Sequence, residues 1–265
     1  MKKTLLSLAI SAALGLASTA ASAVVFEDFK VDTTGYTSIL GPLNFTADKM
    51  TGNYVEVISF DGAGNFYVAI KWQAGQFVAD DGTNPLDVAD TSLGLDYGLY
   101  FLFNGYGTVS AGGGSATFTL GGGAYKFWLD NKSLTTTFTA PVNGALPWTR
   151  GNAGDDVELL YGDAVAGSGN LNTSCSGGIN CGSFGQTQTV NQTIAGSNFF
   201  YWPDPFYTLS FASGQLNSFV LAGTQTINGS LDLVFKSEPV PEPGILALLG
   251  AGLLGLGAMR LRKQA

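Results

Sequence analysis

There is no histidine among the 265 residues. Ser-His and Cys-His nucleophilic pairs are therefore excluded, and so are zinc, copper or haem sites that need an imidazole. Cysteine is nearly absent. Cys175 and Cys181, with SGGIN between them, are the two in the chain, and no C-x-x-C redox motif is formed. Charge is scarce too, at 12% of residues against about 25% in ordinary domains. Of the two signs the basic one is rarer, with 12 Lys and Arg against 20 Asp and Glu. Five of the basic residues sit at the chain ends, leaving residues 24–240 with seven basic and nineteen acidic side chains, a net −12. A field of that sign argues against nucleic acid and anionic membrane as partners. What replaces charge is glycine, 37 residues, roughly twice ordinary usage. Thr, Ser, Asn and Gln supply the polarity. Turn formers and hydroxyl side chains in this proportion suit an exported β-rich protein.

Both ends carry address-like segments. Residues 1–23, MKKTLLSLAISAALGLASTAASA, combine Lys2 and Lys3, a run of about a dozen apolar residues, and small residues at Ala21 and Ala23. That is the layout of a secretory signal cleaved after Ala23. In an exported chain, Cys175 and Cys181 are expected to form a disulfide. Loop entropy values so short a ring at roughly 2 kcal/mol.

At the other end stands VPEPGILALLGAGLLGLGAMRLRKQA (240–265). Residues 244–259 are uncharged and would make a transmembrane helix of about 24 Å, short for a hydrocarbon core of roughly 30 Å. Five glycines weaken it further. Arg260, Arg262 and Lys263 would hold the basic tail, 260–265, in the cytoplasm. Pro241 and Pro243 keep Glu242 extended, as a protease cleft requires. The ordered set Pro241, Glu242, Pro243, apolar span, Arg260 and Arg262 resembles the PEP-CTERM sorting signal of Gram-negative bacteria. The resemblance implies an exosortase as processing partner, with the inner membrane touched transiently.

Between the ends, period-two alternation recurs. NYVEVISF (53–60) and NFYVAIKWQ (65–73), joined by DGAG, read as a hairpin with Phe66, Val68, Ile70 and Trp72 on one face. SATFTL-GGG-AYKFWLD (115–130) reads as a second hairpin turning at its glycines. Further strands are expected at 24–29, 97–103, 134–140, 157–162, 186–194, 206–212, 217–223 and 231–236. Stretches 79–96 and 163–185 read as loops, the first with a short helix. The fold class is all-β: a single-domain antiparallel β-sandwich, jelly-roll-like, over 24–236, followed by a linker at 237–243.

Three constellations compete for chemistry. Asp80, Asp81, Asn84, Asp87 and Asp90 lie within eleven residues. They read either as a solvated acidic loop or as oxygen ligands for Ca2+, though not with EF-hand spacing. GDDVE (154–158) is a weaker version of the same pattern. Glu27, Glu56 and Glu158, the glutamates of 24–236, stand in no glycosidase motif; such enzymes need two carboxyls roughly 5–10 Å apart across a cleft. Glu56 shares a strand face with Tyr54 and Ile58, which suits a site or a wet sheet surface. NFFYWPDPFY (198–207) holds six aromatics and reads as core, or as a sugar-stacking platform of Tyr201, Trp202 and Tyr207. LPWTR (146–150) is similar to a sortase LPxTG signal, but Arg150 replaces the glycine and no membrane span follows it directly, so it is set aside.

VVFEDFKVD (24–32), NFTADKMTGNYVEVISF (44–60), AIKWQAGQF (69–77), LDYGLYFLFNGYGT (95–108) and AYKFWLDN (124–131) together resemble the flocculation-associated PEP-CTERM proteins of floc-forming bacteria. The resemblance implies a role in retaining secreted exopolysaccharide so that cells aggregate into flocs, and the leading expectation is a non-enzymatic matrix protein at the cell surface. It brings no catalytic residue and no cofactor. A carbohydrate lyase or glycosidase, or a homophilic adhesin, are the alternatives.

Overall fold

The computed structural model describes residues 26–131, 135–172, 182–204, 206, 208–213 and 221–236. The signal with Ala21 and Ala23, the cysteines, Tyr207, the strand expected at 217–223 for its larger part, and the whole C-terminal segment lie outside them.

Alternation gives long strands. These are β3 (Lys49–Phe60), β4 (Asn65–Ala79), β6 (Tyr97–Gly112), β7 (Ser115–Asn131), β10 (Val157–Asn172), β11 (Gly182–Gln188), β14 (Thr208–Ser213) and β15 (Thr224–Lys236). Each pairs antiparallel with the next in this sequence. The last returns to the first, Leu231 facing Gly52 and Ile227 facing Glu56. The expected all-β antiparallel domain is what forms. Its facing layers are two walls of one sheet whose ends meet, and strand order follows chain order in place of a jelly-roll exchange. Closure leaves the long strands without an unpaired edge.

The ring is apolar inside and polar outside. Phe66, Val68, Ile70, Trp72, Phe101, Phe103, Phe118, Tyr125 and Phe127 point inward and are buried. Gln73, Thr108, Thr117, Thr119, Lys126, Asn228 and Ser230 are exposed on the outer wall. A barrel that crosses lipid needs the opposite arrangement.

One end of the ring is closed by the segment that precedes it in sequence and by the excursion between β11 and β14. β1 (Phe29–Asp32) lies between β2 (Asn44–Ala47) and β13 (Phe200–Trp202), and the helix α2 (Ile194–Phe199) leads into β13. Phe29 packs edge-on against Phe235 at 4.9 Å and Phe200 at 5.8 Å. Phe200 in turn meets Phe127 at 6.1 Å. The short elements β5 (Asn84–Pro85), α1 (Val88–Thr91), β8 (Thr137–Thr139), β9 (Thr149–Gly151) and β12 (Asn191–Gln192) decorate the outside.

The hairpin at 61–64 forms as expected, its Asp61 carboxylate accepting from the backbone of Ala63 at 2.8 Å and Asn65 at 3.0 Å. The expected turn at Gly121–Gly123 does not form. β7 runs straight through, and the reversal sits at Gly113 and Gly114, both at positive φ. The three glycines instead make room for rings from β6. A Cβ on Gly123 would lie 2.6 Å from the Phe103 ring, and one on Gly122 would lie 3.0 Å from the Tyr106 hydroxyl. Likewise 163–172, expected as loop, continues β10, because β7 on one side and β11 on the other satisfy its backbone.

Candidate binding groove on the barrel wall

The segment 135–151 leaves the sheet after β7 and crosses its outer face as a strap. Its residues fit the wall closely. Trp148 Nε1 donates to the Ala69 carbonyl at 3.1 Å, and Gly144 N donates to Ser59 Oγ at 2.9 Å. Asn104 Nδ2 donates to the carbonyls of Gly144 and Val68, both at 3.1 Å. Trp148 packs with Val57 and Ala69, flanked by Phe138 and Leu102, in a small second core outside the barrel. Gly144 is required where the strap touches β4, since a Cβ there would stand 2.1 Å from the Tyr67 carbonyl oxygen.

Between strap and wall runs a groove of about 460 Å3, a volume in the ordinary range for small-ligand sites. Trp128, Trp148 and Tyr161 contribute rings, and Lys126, Arg150 and Asp163 contribute charge. Tyr161 is 44% exposed, whereas the two tryptophans are buried. Lys126 Nζ is 2.7 Å from Glu158 and 5.9 Å from the Trp128 ring centre. The LPWTR stretch set aside as a failed sortase signal supplies Pro147, Trp148 and Arg150 to this groove. Sequence reasoning missed it because a lone tryptophan in a loop has no periodicity to mark it.

At one margin Arg150 bonds Asp156 at 3.1 Å and Tyr100 Oη at 2.8 Å. The Tyr100 hydroxyl donates to the same Asp156 oxygen, and Thr136 Oγ1 donates to its other oxygen at 2.7 Å. Tyr100 stacks on Trp128 at 5.5 Å. Beyond Asp156 lie Asp155 and Asp130, and one carboxylate oxygen of each of the three lies within 4.8 Å of the others. Strand register explains the meeting. Val157 faces Leu129, so one step further along both chains sets Asp156 beside Asp130.

The earlier calcium candidates are arranged differently. Asp80 and Asp81 occupy a turn at positive φ. Asp80 accepts from Asn84 Nδ2 at 3.0 Å, and Asp81 accepts from Phe26 N at 3.3 Å. Asp87 stands at the start of α1, and Asp90 is exposed within it. Among the described residues, Asp130, Asp155 and Asp156 are the one carboxylate group that converges.

NFFYWPDPFY divides between its two readings. Phe199 and Phe200 are fully buried in the end plug, while Tyr201 and Trp202 are 43% and 42% exposed. Lys30 Nζ lies 5.4 Å from the Trp202 ring centre.

Glu56 points into the barrel and is 6% exposed, so the wet-surface reading fails. It lines an interior cavity of about 60 Å3 with Phe103, Phe118, Phe184 and Gln186. Burial pushes its carboxyl up to about 7. Glu158 lies on the outer wall, bonded to Lys126, so the barrel wall separates these two glutamates.

Fold and groove together define a closed antiparallel β-barrel with a lateral groove under a strap. Residues 239–263 match the PEP-CTERM protein-sorting motif. The match marks the chain as an exosortase substrate of the PEP-CTERM kind, an exported protein with a C-terminal membrane-anchoring region. No curated protein and no solved structure matches the chain. Among the described residues no helix is long and apolar enough to cross a membrane.

Proposed function

We propose that the barrel delivered by this signal is a non-catalytic matrix protein that associates with secreted polysaccharide at the cell surface and so promotes flocculation or biofilm formation. The observation that carries this reading is the strap groove. The exposed ring of Tyr161, beside the buried tryptophans Trp128 and Trp148, offers flat apolar surface to sugar C–H faces, and Lys126 and Arg150 offer donors to hydroxyl or carboxylate oxygens. A single exposed tyrosine beside two supported tryptophans suits a weak, repeated grip along a polymer.

Co-sedimentation of the exported protein with host exopolysaccharide tests the reading. Retention on the polymer, with no new reducing ends or unsaturated products, is the expected result. Product formation would make the groove an active site instead. Self-association with no sugar present, and no retention, would favour a homophilic adhesin.

A further inference from the structure

Asp130 is a buried carboxylate in an acidic corner and lacks full compensation. It is 7% exposed. Its Oδ2 accepts from Thr136 N at 3.2 Å, while its Oδ1 is buried with no hydrogen-bond partner. A buried oxygen left unpaired is costly, and two further carboxylates stand within 4.8 Å. Arg150 bonds the Asp156 carboxylate of this group. Burial, and after it the charges of Asp156 and Asp155, push the Asp130 carboxyl above the usual carboxylate range, against the lowering effect of Thr136.

We propose that Asp130, Asp155 and Asp156 form a divalent-cation site whose ion is Ca2+. The donor set is entirely oxygen, which selects a hard ion. Two oxygens bound to one Ca2+ at about 2.4 Å can be at most about 4.8 Å apart, and the three carboxylate oxygens lie within that limit. Asp155 is exposed, which gives the ion an entry side and leaves room for waters to complete six to eight ligands. Asp130 is held in β7, and Asp156 stands one residue before β10, where the Val157–Leu129 pair fixes its place beside Asp130. The site stands apart from the sugar reading and does not depend on it.

The test uses the metal alone. The exported protein is stripped with chelator and titrated with CaCl2 by calorimetry, and with Tb3+ while tryptophan-sensitised luminescence is followed. One ion per chain is expected, with a rise in thermal midpoint. Asp130→Asn and Asp155→Asn should each weaken binding at least tenfold, while Asp87→Asn leaves it unchanged. Asp155→Asn alters an exposed side chain, so folding failure of the buried variant would leave the test intact. Absence of a heat and of a Tb3+ signal, or binding unaltered in Asp155→Asn, would overturn the site and leave Asp130 as a carboxyl that holds its proton. Binding lost in Asp87→Asn instead would place the ion in the 80–90 loop and equally overturn it.

Discussion

The guanidinium carbon of Arg150 stands 4.1 Å from the centre of the Trp128 ring, while one of its nitrogens reaches Asp156 at 3.1 Å. One side chain thus ties the strap to the barrel wall by stacking and by charge. Asp156 is almost fully buried at its side chain, Arg150 partly exposed. Arg150→Ala strands the carboxylate and is expected to lower stability by about 2 kcal/mol. Arg150→Lys keeps the charge but not the planar stack and should fall between. Denaturant unfolding of both variants beside the parent gives the order. A lysine variant equal to the parent would reduce the contact to charge alone.

Glu56 sets a pH dependence. Its folded value of about 7 lies above the ordinary 4.5. The unfolded chain therefore releases this proton first as pH rises. The stability tied to the protonated form is complete below pH 4.5, declines through the window from 4.5 to 7, and is gone above it. The loss amounts to about 3 kcal/mol. Glu56→Gln removes the ionisation, so the variant should gain on the parent at pH 8 and show no comparable gain at pH 4. Thermal melts at the two pH values check this; an equal gain at both would mean packing, not ionisation, is responsible.

Gly144 tests the strap. A methyl group there must push 135–151 off β4 or bend the strand. Gly144→Ala is expected to cost about 1–3 kcal/mol and to expose Trp148, seen as a red-shifted fluorescence. The closed ring does not depend on this contact, so far-ultraviolet circular dichroism should keep its β signature.

The sorting motif makes a cellular prediction. Deleting residues 241–265 should remove exosortase processing and change how the protein divides between membrane, surface and medium. Cell fractionation reads the outcome. An unchanged distribution would mean that the motif at 239–263 is not used.

The alternation of Phe66, Val68, Ile70 and Trp72 made β4 and its inward face legible from residue order, because period two is enforced by the pleat. Closure was not legible, since the pairing of β15 with β3 joins residues 165 or more positions apart at Ser59 and Thr224. Glycine misled where it served ring packing: Gly121–Gly123 lie under Tyr106 and Phe103, not in a turn. The aromatic segment 198–207 could not be divided by composition, because burial of Phe199 and exposure of Trp202 are set by which end of the barrel the chain crosses. Asp130 had no sequence sign of its own. It meets Asp155 and Asp156 through strand register, and the local run GDDVE showed two ligands of the three. The sorting signal was the most legible feature, since a membrane protease reads linear sequence.

The groove reading is tested most directly by comparing Tyr161→Ala with Trp202→Ala in polysaccharide co-sedimentation. Both side chains are more than 40% exposed, so neither change should unfold the barrel. Binding to the host polymer should fall at least fivefold in Tyr161→Ala and stay near the parent in Trp202→Ala. Retained binding by Tyr161→Ala, with loss in Trp202→Ala, would contradict the groove and move the contact to the plugged end of the barrel.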